Sequence, residues 1–318
     1  MEAVWMQQMT AGSPVGKVMI HGRTLREVVD SHHAWLEDRG GIRADLRGTS
    51  LADLDLQHIR LPRAILSGVS FIDANLTGAD LSGANLRGAD FRNATLVSAD
   101  LTGANLAKAN MTRCWLAEAN LSEAHIDEVF FRQSTLRECR MYDIRMSRCD
   151  FTGATLKGAM LNHAVLRDCM FVECDLEKAC FLHARIHGCR FMASKMDESN
   201  FTAVQAPACD FTGVQAHSVR FARASLNQSV FARAFVMSCD FREANLNTAD
   251  FSGAVLSESV FGEASLLATD LREAVLLGGR ELTAIQLSQA RTSYGTILPN
   301  GKKGPFVKGF GLEQAPKR

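Results

Sequence analysis

Residues 74–110 read ANLTGADLSGANLRGADFRNATLVSADLTGANLAKAN, a five-residue phrase repeated without a break. A small residue is followed by Asp or Asn, then by Leu or Phe, then by two polar or small residues. Outward from this tract the register never slips. From Leu46 to Leu276 the centres of the phrase fall on numbers ending in 1 or 6, which makes 47 consecutive units. The position two before each centre is mostly Ala, Cys, Ser or Val.

A strand repeats its side chains every 2 residues and a helix every 3.6, so neither absorbs a period of five. A right-angled coil does. Four five-residue sides make a turn of about twenty residues, stacked on the next at the ~4.8 Å spacing of neighbouring strands. The charges agree. Residues 44–278 hold 23 basic and 28 acidic residues, and none falls on a centre or on the small position before it. An unpaired charge is too costly to bury, so those two positions point inward and the other three outward. The expected fold is an all-β solenoid of about twelve coils, by the same spacing.

The core can be read further. Phe171, Phe181, Phe191, Phe201, Phe211, Phe221, Phe231, Phe241, Phe251 and Phe261 recur every ten residues, half a turn, so each coil there carries two rings on opposed walls. Ala206 and Ala216 compensate the volume between them.

Tandem units such as Ala79-Asp80-Leu81-Ser82-Gly83 and Ala84-Asn85-Leu86-Arg87-Gly88 resemble the pentapeptide repeat family. The resemblance covers Ala44–Gly278 and implies a right-handed quadrilateral β-helix. It also implies action by binding, since the best-studied members protect or inhibit DNA gyrase by imitating duplex DNA.

The flanks differ from the repeat. Residues 1–43 read as a lead-in with a short strand near Lys17–Ile20 and an amphipathic helix over Thr24–Asp38. Thr24 and Glu27 have capping-box spacing, and Leu25, Val28, Val29, His32, Trp35 and Leu36 form one stripe. The helix is expected to cover the first coil, because an open edge invites pairing. Residues 279–318 read as a C-terminal cap and a flexible basic tail. Their segment Glu281–Leu298 is expected to fold back over an apolar wall of Phe235, Met237, Val255, Val275 and Leu277 and over the last coil. This cap is also the candidate surface for a homodimer, as the resemblance implies.

Charge is balanced at 35 basic and 35 acidic residues, so no global field draws nucleic acid or an anionic membrane. No stretch approaches the ~18 apolar residues of a membrane span. The N-terminal residues show no basic region followed by an apolar run. Nine cysteines in such a chain indicate reduced thiols and a cytoplasmic setting. Neither a nucleophile elbow, a phosphate loop nor a zinc-protease motif occurs, and the expectation is a non-enzyme without cofactors.

Three sets of residues stand out. Eight of the nine cysteines take the inward small position and read as packing. His163, His183 and the outward-facing Cys180 form a candidate trio for copper or zinc. Trp115, Phe130, Met170, Val172, Arg190 and Met192 are outward apolar or cationic residues of the kind found at protein interfaces. One wall, centred on Leu66, Leu86 and Leu106, is the more basic. It carries Arg47, Arg87, Lys108, Arg145, Arg148, Arg167 and Arg185 against four carboxylates. The favoured function is a scaffold that binds a protein partner along a wall or through a cap. Gyrase modulation by DNA mimicry is a disfavoured alternative, because no wall is uniformly acidic, and a secreted bacterial effector is a second.

Overall fold

A computed structural model describes residues 15–307. The chain divides into two compact units, Met1–Met160 and Leu161–Arg318. Each is a β-solenoid of stacked coils, with about six twenty-residue coils per unit where the sequence alone suggested one run of about twelve.

In the first unit a short 3-10 turn, Val15–Lys17, leads into an antiparallel pair, β1 (Met19–Ile20) and β2 (Arg23–Thr24). Helix α1 follows at Leu25–Leu36. The capping box is present: Glu27 N donates to Thr24 Oγ1 at 3.2 Å, and Thr24 N donates to Glu27 Oε2 at 2.7 Å. Leu25, Val28, Val29 and His32 are the buried face. His32 docks the helix on the first coil. Ala44 N donates to its Nδ1 at 3.1 Å, which leaves Nε2 to donate to Pro62 O at 2.9 Å. The chain then turns at Gly41, where φ is +87° and any Cβ would run into the Ser31 carbonyl and Ala34.

From Ala44 each outward residue before a centre bridges its counterpart twenty positions on, as in Asp45↔Ile65, Asn85↔Asn105 and Arg140↔Met160. The corner chemistry explains the phrase. The amide two residues after each Asp or Asn donates to that side chain, as Ser82 N does to Asp80 Oδ1 at 3.1 Å and Thr102 N to Asp100 Oδ1 at 2.9 Å. This is the Asx turn, a local substitute for a backbone bond. The next residue takes a left-handed conformation, with φ of +64° at Gly78 and +56° at Asp73. A Gly there is free of Cβ strain, and other residues are held by the ladder on both sides. The following small residue then closes the corner, Ala79 N donating to Leu76 O at 3.0 Å.

With alanine the closing bond spans 2.8 Å at Ala154 to 3.2 Å at Ala64, and Cys114 and Val204 also close at 3.2 Å. At some corners it gives way, and the side straightens into a three-residue strand. In the first unit β3 (His125–Asp127) pairs in parallel with β4 (Arg145–Ser147). In the second unit β5 (Val165–Arg167) pairs with β6 (Arg185–His187), and β7 (Gln215–His217) with β8 (Phe235–Met237). The inward small residues two positions past the ends of β6, β7 and β8 are Cys189, Val219 and Cys239. The opened groups do not go unbonded. Ser259 Oγ donates to Val236 O at 2.9 Å and accepts from Cys239 N at 3.1 Å, and Cys239 Sγ donates to Ala216 O at 3.2 Å. Burial pushes the Cys239 thiol up to about 12 and Cys209 up to about 11. These thiols therefore stay protonated and are structural donors, not nucleophiles.

The second unit is filled by two phenylalanine stacks. Phe171, Phe191, Phe211, Phe231 and Phe251 lie at centroid spacings of 4.9, 4.8, 4.6 and 4.7 Å. Phe181, Phe201, Phe221, Phe241 and Phe261 form the other at 4.5 to 5.4 Å. Edges of one stack meet faces of the other, as Phe171 and Phe181 do at 6.2 Å and 87°. Edge-to-face contact sets the positive ring edge against the negative face. Ala206 is fully buried in this interior. Replacing it by Leu should cost about 1–3 kcal/mol through overpacking, and an unchanged melting temperature would mean the interior has spare room.

After Gly278 the chain covers the last rung but does not lie over the apolar wall, where the sequence expectation had both. It adds a last irregular coil: helix α2 (Ala284–Gln289), then Arg291 paired with Asp270 and Ile297 with Val275. Gln286 Nε2 donates to Phe261 O at 2.8 Å and Ala264 O at 2.9 Å. These two carbonyls lack a further coil, and satisfying them draws the segment onto the end of the stack, away from the wall. The basic tail expected at the C-terminus extends beyond the described residues.

Candidate interaction surface

The consequence is an uncovered apolar strip on the second unit. Parallel pairing aligns Phe235, Val255, Val275 and Ile297 in one column. Met237 and Leu277 fall in the column two residues on, where Ser257 separates them. Phe235 is 54% exposed, Leu277 51% and Met237 38%. At one end of the strip β7 and β8 floor a cavity of about 330 Å³ lined by Asp197, Gln215, His217, Phe235 and Met237. Its breadth follows from the open corners at Val219 and Cys239. His217 is held in place by its own amide, which donates to Asp197 Oδ1 at 2.8 Å.

The residues singled out from sequence are distributed otherwise. Trp115 is 59% exposed and bridges Thr95 and Thr135, while Phe130 bridges Asn110 and Asp150 on another side. They do not form one patch. Phe130 is also lidded: the Arg132 guanidinium lies 5.2 Å from its centroid and pairs with the buried Asp150. Met170 and Arg190 do pair across one rung. Met170 and Val172 are half-buried beside exposed Arg190 and Met192. That is a small mixed surface.

The metal trio does not assemble. His163 and His183 stack at 5.4 Å and 16°, because equivalent positions of adjacent coils lie in register and present parallel rings, not convergent nitrogens. Cys180 Sγ instead accepts from Asn200 Nδ2 at 3.6 Å. Among the described residues no three His, Cys, Asp or Glu side chains form a metal-holding group.

Several carboxylates on the walls are neutralised locally. Arg47 grips Asp45, Arg92 grips Asp90, Arg242 grips Asp240 and Arg272 grips Asp270, each Arg two residues after its Asp. The Arg272 guanidinium holds the Asp270 carboxyl below its usual range, and Arg242 does the same to Asp240. Among the described residues no helix is long and apolar enough to cross a membrane.

Stacked five-residue sides with Asx-turn corners define a pentapeptide-repeat solenoid. The family profile for pentapeptide repeats matches in eight copies over residues 44–83, 74–113, 114–153, 149–188 and 239–278, and the chain belongs to this family. Among solved structures it is similar to HetL, a pentapeptide repeat protein involved in heterocyst differentiation regulation from the cyanobacterium Nostoc sp. strain PCC 7120. Identity is 22% over 69% of this chain and 93% of HetL, with a TM-score of 0.30. It is similar to a trypsin-treated form of QnrB1, a plasmid-mediated fluoroquinolone resistance protein, at 18% identity over 62% of this chain and 91% of QnrB1, TM-score 0.28. Rfr23, a pentapeptide repeat protein from the cyanobacterium Cyanothece 51142, matches at 16% identity over 35% of this chain and 88% of its own, TM-score 0.25. No curated protein matches the chain.

Proposed function

We propose that the chain is a non-enzymatic interaction scaffold that docks a protein partner along a wall of its second unit. The observation that carries this reading is the uncovered strip of Phe235, Met237, Val255, Val275 and Leu277, with three of the five side chains more than a third exposed. A contiguous apolar patch of this kind is costly to leave in water unless something covers it. Gyrase modulation through DNA mimicry is the less favoured reading. The Asp residues that would imitate phosphates at 45, 90, 240 and 270 are each charge-paired by their own Arg.

The test is a photoreactive residue in place of Phe235. It should crosslink one specific protein in the native cell, and the same residue in place of Arg87 should not. Phe235→Asp with Met237→Asp should abolish the crosslinked complex and leave stability within about 0.5 kcal/mol, as for surface changes in general. An identical crosslinking pattern from both positions would remove the strip as the docking surface.

A further inference from the structure

Half a turn round the second unit from the apolar strip, β5 and β6 floor a larger groove of about 790 Å³. Its walls include Arg167, Arg185, His187, Gln205 and Pro207. The space continues over the corner to the stacked His163 and His183.

Its guanidiniums differ from the three of the same unit that are paired with carboxylates. Arg223, Arg242 and Arg272 are engaged with carboxylates. The side chains of Arg167 and Arg185 make no ion pair or hydrogen bond among the described residues. Asp168 is the carboxylate at the rim, laid against Gly188, where any added side chain would displace it. It pairs with neither arginine. Two unneutralised guanidiniums beside one another repel, and a bound anion would relieve that.

Spacing and surroundings narrow the anion. Arg185 lies opposite Val165 and Arg167 opposite His187, so the two arginines are diagonal neighbours. Their Cα atoms are about 8 Å apart from the strand spacing and rise. Alternate side chains of an extended peptide, which share one face, are about 6.6–7 Å apart. Each guanidinium fork fits one carboxylate in bidentate fashion. Along the same wall the later rungs carry no charge: Gln205, Ser225, Asn227, Asn245 and Asn247 offer amides and hydroxyls suited to a peptide backbone. A nucleic acid would need a longer basic track, because its affinity grows with the number of phosphates neutralised.

We propose that this groove binds an extended acidic peptide segment, with carboxylates at alternate positions held by Arg167 and Arg185. This goes beyond the docking reading above, since it concerns a different wall and names the chemistry of the partner.

The experiment titrates the full-length chain into a fluorescein-labelled peptide of alternating Glu and Ser, read by anisotropy. A Gln/Ser peptide, inorganic phosphate and single-stranded DNA are run alongside. Saturable binding of the acidic peptide is expected, weakened about tenfold or more by Arg167→Gln with Arg185→Gln. It should be unaffected by Arg87→Gln or by the Phe235 and Met237 variant, so the two surfaces fail or succeed separately. Circular dichroism checks that the double variant is folded. Equal binding of the Gln/Ser peptide, or an acidic-peptide affinity unchanged in the double variant, would overturn the proposal. So would displacement by phosphate at the peptide's own half-saturating concentration, which would make the groove an isolated-anion site, or tighter binding of DNA.

Discussion

Replacing Phe211 by Ala should lower stability by about 3–5 kcal/mol, the range for deleting a fully buried aromatic ring. Phe211 is stacked between Phe191 and Phe231 at 4.8 and 4.6 Å. It also meets Phe201 and Phe221 edge-to-face at 6.2 and 6.3 Å. The centres on either side of it in the chain are Ala206 and Ala216. Those residues have no side chain to swing into the void, so the cavity persists and its cost adds to the lost transfer free energy. Phe71 offers the contrast. It has one stacked partner, Phe91 at 4.9 Å, and is flanked by Leu66 and Leu76, which can relax inward. Phe71→Ala should therefore cost less than Phe211→Ala in urea unfolding. Equal losses would show that the alanine neighbours do not matter, and a loss below about 1 kcal/mol at Phe211 would show that the rings do not bear the stack.

The coils were legible because burial is written into a strict register. Charge never enters positions such as Leu86 or Ala84, and a period of five leaves one geometry for the backbone. The helix was legible for a similar reason, Thr24 and Glu27 being three residues apart ahead of an apolar stripe. The surfaces were harder. The strip at Phe235 and Met237 was visible as apolar, but whether it stays open depends on where Glu281–Leu298 goes. That is decided by two carbonyls, of Phe261 and Ala264, that no pattern of apolar residues reveals. Cysteine at the inward small position was readable as filler. Which corners open, so that a side becomes a strand with a groove, was not readable, because alanine, cysteine and valine all close corners elsewhere. One further signal is readable in the sequence. Asp45-Leu46-Arg47, Asp90-Phe91-Arg92, Asp240-Phe241-Arg242 and Asp270-Leu271-Arg272 share one spacing around a centre of the repeat, and it foretells these four pairs. Arg167 and Arg185 lack such an Asp two residues before them, and among the described residues neither finds a carboxylate elsewhere, as Arg132, Arg148 and Arg223 do.

His32→Ala should cost about 2–4 kcal/mol and release α1 from the first coil. The imidazole is fully buried and uses both nitrogens, accepting from Ala44 N and donating to Pro62 O. Truncation leaves a buried amide unmet, worth about 1–3 kcal/mol, and a part-buried carbonyl that water can partly satisfy. The ring also stacks on Trp35 at 5.4 Å and 17°, and Arg63 covers the other aromatic system at 4.9 Å. Neutral imidazole is required, because a proton on Nδ1 would face the Ala44 N–H. Burial is the main cause that lowers the His32 pKa, and His33, Arg43 and Arg63 add repulsion. The unfolded chain therefore takes up this proton more readily than the folded one. Its contribution is fully present above about pH 6.5, the ordinary histidine value, and is lost as pH falls through the lower folded value. Hydrogen exchange of residues 25–36 reads this directly. Protection of the helix should fall between neutral and mildly acidic pH in the parent chain. In His32→Ala it should be low throughout and should not fall further with that proton. Protection in the parent that is flat across that range would show that the helix is held by its apolar face alone.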